Sequence, residues 1–294
     1  MSLEPSSVNP SSAASASTQA LSIDVLVSVG RHSLTERPRR ADLDARALEL
    51  ALRLRDKRGA QVNACHVGEG GQQAGSDTEA ALRDYLGMGL ENLTWIDAPQ
   101  GSDALGLLDE HLRAGQVSAG PRLVLCGMRA EQGEGSGLLP FLLSESLGWA
   151  YVPAVVEVED VASEDGHWYT TVLQALPRGQ RRRLRVRLPA LLGIDSAAAQ
   201  PRQSAFGPAR RGRIEQRQLE ASVMADESLA NWPLQPAKPR PKRLKIVTAT
   251  NARDRFKAAA AKAESTGGKV LQDVSPEQGA EAVLALLKEE GVLR

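Results

Sequence analysis

The sequence predicts a doubly wound α/β fold: a mostly parallel sheet with helices on both faces, an added antiparallel strand set and an extended C-terminal arm. Three observations carry that prediction. Short β-branched runs alternate with amphipathic stretches from Ile23 to Gly127, and parallel strands need such crossover connections. The first of these runs, Ile23–Val29, has the β-branched profile of a buried parallel strand. Each also passes at its carboxyl end into a segment of glycine and small residues, at Gly30, Gly68 and Gly127.

The elements follow in order. Ile23–Val29 (IDVLVSV) reads as a buried strand. Residues 41–58 read as a helix, with Leu43, Ala47, Leu50, Ala51 and Leu54 on one face and Arg46, Arg53 and Lys57 facing outward. Gln61–Val67 is the second strand. Asp77–Met88 is a helix with Asp77 as its N-cap. Thr94–Ile96 is a brief strand, Asp103–Arg113 a helix, and Arg122–Cys126 a strand running into Gly127. Leu138–Leu147 is a helix before Trp149. An antiparallel set comes next: Ala154–Glu159, Trp168–Gln174, Leu184–Leu188 and Ala190–Ile194.

From about Asp195 to Arg213 the periodicity vanishes, and a loop of that length is either functional or disordered. Pro-rich Trp232–Lys242 is a stiff linker. A strand at Leu244–Ala249 and helices near 253–265 and 276–290 complete an arm. The organisation expected is a disordered tail over 1–21, an α/β domain over 22–230, and a linker and arm over 231–294 that packs on a partner subunit.

Composition narrows the function classes. Thirty-six basic and 36 acidic residues cancel, so no global field draws nucleic acid or a membrane surface. Arginines alternate with aliphatics in Arg183–Leu188, which makes one strand face cationic; this is a solvated face or a partner-docking face. No apolar run spans a bilayer. Two cysteines without metal-ligand spacing point to buried thiols in a reducing, cytoplasmic setting. The four histidines (His32, His66, His111, His167) are dispersed, with His111 expected on an exposed helix face. No nucleophile elbow, P-loop or zinc-binding helix motif is present. What remains is the crevice beyond the strand ends, lined by Ser28–Thr35, Cys65–Gly71 and Gly127–Gly137.

Several segments, in order, resemble the β subunit of electron-transfer flavoproteins. Val25–Arg31 (VLVSVGR) is similar to the family's V-L-V-A-V-K-R, and Ala47–Lys57 to its first helix. Ala81–Gly89, Leu123–Ala130 (LVLCGMRA) and Leu142–Trp149 (LLSESLGW) match further blocks, as do Leu188–Asp195 with Gln200–Arg202. The resemblance spans about 22–250.

It implies an electron-carrier subunit without catalytic residues of its own. Such a subunit pairs with a larger α subunit that holds most of an FAD, accepts electrons from a flavin dehydrogenase and passes them on to a quinone-reducing acceptor. It also implies a bound AMP. By position, its contacts fall at Ser28, Ala41, Asp42, Leu43, Asp44, Val67, and the loop Gly127, Met128, Arg129, Ala130, Glu131, Gly133, Gly135 and Ser136. The docking loop falls at Arg202–Gly212, with Phe206 as hydrophobic anchor beside Arg202, Arg210 and Arg211.

Three departures stand out. Ala41–Asp44 replaces the family's N-P-F-D, and Glu131–Ser136 (EQGEGS) replaces its acidic Gln-Thr-Gly loop, so three polar nucleotide ligands are lost and Glu131 and Glu134 add charge that repels a phosphate. Between Arg31 and Ala41 the family's β-hairpin, with its flavin-side tyrosine, is largely missing; Thr35 is the nearest position. Two other readings stay open: a nucleotide-binding sensor or hydrolase on the same sheet, and a purely structural subunit of a larger dehydrogenase assembly.

Overall fold

A computed structural model describes residues 20–69, 76–99, 102–115, 120–132, 135–219, 231–233, 251 and 271–289. The expected tail over 1–19, the linker over 234–242, the strand at Leu244–Ala249 and the helix near 253–265 lie outside the described residues. The chain divides into two compact units, Met1–Pro233 and Leu234–Arg294.

The first unit is built on β1 (Ser22–Leu26), β2 (Val29–Arg31), β3 (Pro38–Arg40), α1 (Asp42–Arg58), β4 (Gln61–Gly68), α2 (Asp77–Leu86), β5 (Asn92–Asp97), α3 (Ala104–Ala114), β6 (Arg122–Gly127), α4 (Leu139–Leu147), β7 (Ala150–Glu164), β8 (His167–Ala175), β9 (Arg181–Arg187), β10 (Ala190–Ile194), α5 (Phe206–Arg211) and β11 (Arg213–Arg217). Its main sheet runs β11-β5-β4-β1-β6-β10-β7-β8-β9. The strands from β11 through β7 are parallel, and β8 and β9 extend the sheet in antiparallel register.

The chain steps outward from β1 to β4 and β5, then returns to place β6 on the other side of β1. That reversal opens a crevice at the carboxyl ends of β1 and β6, where doubly wound sheets hold their ligands. Ile23, Val25, Leu123 and Leu125 are fully buried in the strands beneath it.

Helix α1 closes one face of the sheet through Ala47, Leu48, Ala51 and Leu52, all fully buried. It stops at Gly59, which takes the left-handed φ of 69° and donates its N–H to the Arg55 carbonyl at 2.8 Å. Arg46 was expected outward but is buried: its guanidinium reaches Asp42 at 2.8 Å and the Ala198 carbonyl at 2.6 Å. Helix α2 is capped by Ser76, one residue before the expected Asp77; the Ser76 hydroxyl accepts from the Glu79 N–H at 3.1 Å.

Other expectations need correction. Ala190–Ile194 does not join the antiparallel set. It is a central strand, parallel to both β6 and β7, and every one of its residues is buried. The hairpin expected to be largely missing is present in short form, with Val29–Arg31 paired to Pro38–Arg40. His32 organises its turn, accepting from the Leu34 and Thr35 N–H groups at 3.3 Å through Nδ1. The segment read as irregular to Arg213 contains α5 and leads into β11, which adds to the sheet beside β5.

His111 is half-buried rather than exposed. In the second unit, α6 (Pro276–Glu289) starts at a reciprocal cap between Ser275 and Gln278 and carries exposed Val283, Leu284 and Leu286.

Candidate functional site

The crevice is closed by side chains the chain itself supplies. Asp44, in the first turn of α1, is buried and spans the gap between the two central strands. Its Oδ2 accepts from the Ser28 N–H at 2.8 Å and the Ser28 hydroxyl at 2.5 Å, and its Oδ1 accepts from the Gly127 N–H at 2.9 Å. Gly127 must be glycine, because a Cβ there would stand 2.5 Å from Asp44 Oδ1 and 2.7 Å from Leu43. Burial pushes the Asp44 carboxyl up to about 6, against the three hydrogen bonds that favour its charged form.

Tyr85 of α2 fastens the same corner. Its hydroxyl accepts from the Ala41 N–H at 2.8 Å and donates to the Ser28 carbonyl at 2.8 Å. Burial raises the phenol well above its ordinary range, so it stays protonated and can donate.

Glu131 comes from the loop after β6. It supplies the anion that the amino end of α1 calls for, since the N-cap position, Ala41, has no side chain to cap with. Glu131 Oε1 accepts from the Asp42 N–H at 2.7 Å and Oε2 accepts from Arg39 at 2.8 Å, which ties α1, the β2–β3 hairpin and the loop together. A Cβ on Gly30 would meet Glu131 Oε2 at 2.4 Å, so the carboxylate lies directly on the glycine backbone.

A second feature lies on the far side of α2. Arg202 folds back on α1, where its N–H and guanidinium bond Glu49 at 3.1 and 2.8 Å. Burial works to raise the Glu49 carboxyl, but the bonds from Arg202 and Arg53 outweigh it and hold the group below the usual range. Ala205 N–H then bonds the Gly87 carbonyl at 2.9 Å, Arg83 reaches the Ala209 carbonyl at 3.1 Å, and Gly212 sits against Leu86. Held at these points, α5 presents Phe206 at 80% exposure with Arg210 and Arg211 beside it.

The family model described as electron transfer flavoprotein domain matches residues 34–222. The electron transfer flavoprotein subunit beta of Chromohalobacter salexigens is 58% identical over 280 residues, covering 95% of this chain and 98% of that protein. The chain belongs to the electron transfer flavoprotein family.

The positions that the family resemblance marks for a nucleotide are distributed unevenly. Ser28, Ala41, Asp42, Leu43, Asp44 and Gly127 converge at the ends of β1 and β6 and the start of α1. Val67 is half-buried near the end of β4, beside β1. Met128, Arg129, Ala130 and Glu131 lead away from β6, and Glu131 reaches back into the crevice through its bond to the Asp42 N–H. Gly133 lies outside the described residues. Gly135 lies beyond Glu131, and the Ser136 hydroxyl accepts from the Leu138 N–H at 3.1 Å ahead of α4.

Arg202, expected as a docking residue, pairs with Glu49 of α1, whereas Phe206, Arg210 and Arg211 face outward. Sequence reasoning missed Tyr85, Arg39 and Glu49. Tyr85 had a signal: it is the one aromatic on the apolar stripe Ala81, Leu82, Tyr85, Leu86. His66 is buried at the end of β4, with Nδ1 2.9 Å from the Val27 carbonyl, and stands apart from exposed His32. Burial pushes the thiols of Cys65 and Cys126 far up, which makes them inert.

Proposed function

We infer that the chain is the β subunit of a heterodimeric electron-transfer flavoprotein, a cytoplasmic carrier between flavin dehydrogenases and a quinone-reducing acceptor of the respiratory chain. The pinned segment 202–212 carries this reading, because it presents a large apolar side chain on a turn held at both ends. The 58% identity to a protein named as the beta subunit supports it.

FAD, held mainly by the α subunit, would supply the redox chemistry. The residues here fit a covering role towards it. The hairpin turn at Leu34 and Thr35 and the α4 face of Leu138, Phe141 and Leu142 are exposed apolar surface, as are Val283, Leu284 and Leu286 of α6. These are the surfaces that an α subunit would cover. This chain's own tasks are to form the heterodimer, to shield one side of the flavin and to dock on the donor. It needs no catalytic residue for any of them.

The family's AMP does not fit the residues present, because the backbone donors of the crevice already serve Asp44, Tyr85 and Glu131. The same occupancy gives no support to a nucleotide sensor or hydrolase.

Phe206→Ala in the purified heterodimer is expected to slow electron transfer from the dehydrogenase at least tenfold, the loss of about 1.4 kcal/mol or more that a buried aromatic anchor carries. Flavin content should stay unchanged. Stopped-flow reduction of the flavin measures both. Unaltered transfer kinetics would remove the docking role.

A further inference from the structure

We propose that Glu131 is a built-in anion that fills the mononucleotide position of this fold, so that the crevice is closed and stable with no AMP bound. The inference rests on the β-subunit reading only for which nucleotide to test.

The amino end of a helix beyond a parallel strand is a ready anion site, since its first N–H groups have no partners within the helix. In α1 that demand is met from 89 residues away in sequence, by Glu131 Oε1 on the Asp42 N–H. The other oxygen takes Arg39 Nη2 at 2.8 Å. One carboxylate therefore accepts from a backbone amide and a guanidinium, the donor pair that a phosphate would engage. It also rests on Gly30, as close as a pyrophosphate comes to a glycine turn.

The neighbouring donors are engaged as well. Ser28 N–H, Ser28 hydroxyl and Gly127 N–H all point at Asp44, and Ala41 N–H points at Tyr85. A phosphate entering here would have to expel Glu131 and would face Asp44 behind it. Like charges at such range disfavour one another strongly in a partly buried site. The loop's departure from the family pattern is thus an exchange: ligand-binding polar residues are gone, and a carboxylate performs the ligand's structural task from within the chain.

The experiment uses the purified heterodimer. Nucleotides released on denaturation are identified by mass spectrometry, and melting is followed with and without millimolar AMP or inorganic phosphate. The wild-type complex is expected to release flavin but no stoichiometric AMP, and neither anion should shift its melting temperature. Glu131→Ala should melt several degrees lower and recover with AMP or phosphate. Glu131→Gln, which keeps an acceptor for Asp42 but loses the ion pair, should fall between. Arg39→Ala should reproduce the lowered melting if Glu131→Ala fails to assemble.

One equivalent of AMP in the wild type would overturn the proposal. So would Glu131→Ala and Arg39→Ala variants that both melt like the wild type. Loss of flavin or of the heterodimer would count against the β-subunit reading alone, since nucleotide content and anion response are read separately.

Discussion

At the scale of single residues, Asp44 shows how the fold alters a group's chemistry. Burial lifts its carboxyl from the ordinary 3.8 to about 6. Between those values the native state binds the extra proton, so this residue's contribution to stability falls as pH rises through that window. The two-unit gap corresponds to about 3 kcal/mol. Asp44→Asn is expected to remove that slope while lowering stability at every pH, because its amide N–H₂ meets donors from Ser28 and Gly127. Urea unfolding across the window, compared with the wild type, measures it.

His66 has the opposite sign. Burial depresses its pKa, so its contribution is full above 6.5 and is lost on acidification. Little of this was legible in the sequence. Asp44 stood in a motif position, but nothing in the pattern placed Ser28 and Gly127 against it, since those contacts join strands that are far apart in the chain. Arg46 shows the same limit: helical periodicity puts it outward, yet the Ala198 carbonyl, far away in the chain, draws its guanidinium inward beside Asp42 one turn back.

At the scale of elements, α2 serves two sites. Through Tyr85 it holds the crevice, and through Arg83, Leu86 and Gly87 it carries the pinned segment 202–212. The Glu49–Arg202 pair is the segment's other anchor. Glu49→Ala should cost about 2 kcal/mol, as the loss of charge-assisted hydrogen bonds to a buried carboxylate does. Limited proteolysis within 203–212 should speed up while the rest of the domain stays resistant.

Helices α1 and α2 were legible, because apolar spacing is a local signal. β10 and β11 were not. An apolar run states that it is buried but not which neighbours it pairs with, and β11, with Arg213 and Arg217 at its ends, has an edge strand's composition rather than a core strand's.

At the scale of the whole molecule, β1 and β6 are locked across the sheet by a buried ion pair. Arg122 bonds Asp24 at 2.8 Å and the Leu112 carbonyl at 2.5 Å, and its guanidinium lies over the Trp149 ring. Asp24→Ala would leave that guanidinium buried without its counter-charge. A loss of roughly 3–5 kcal/mol is expected, read as a lowered denaturation midpoint with an unchanged slope. The parallel architecture from β1 to β6 was legible from rhythm alone, because strand, helix and glycine turn repeat at regular intervals through Gly127. The closure of the crevice was not, since it depends on one carboxylate meeting a helix end across the fold.

The pinned segment begins where Arg202 is clamped to α1 and ends where β11 enters the sheet beside β5. Both ends are fixed to the frame, and the residues between touch it chiefly through backbone groups. The stretch is therefore a cassette. Its outward side chains can be rewritten, or replaced by those of a relative, without disturbing the sheet. Under the proposed docking role, the partner it selects can diverge while the crevice and the core stay the same.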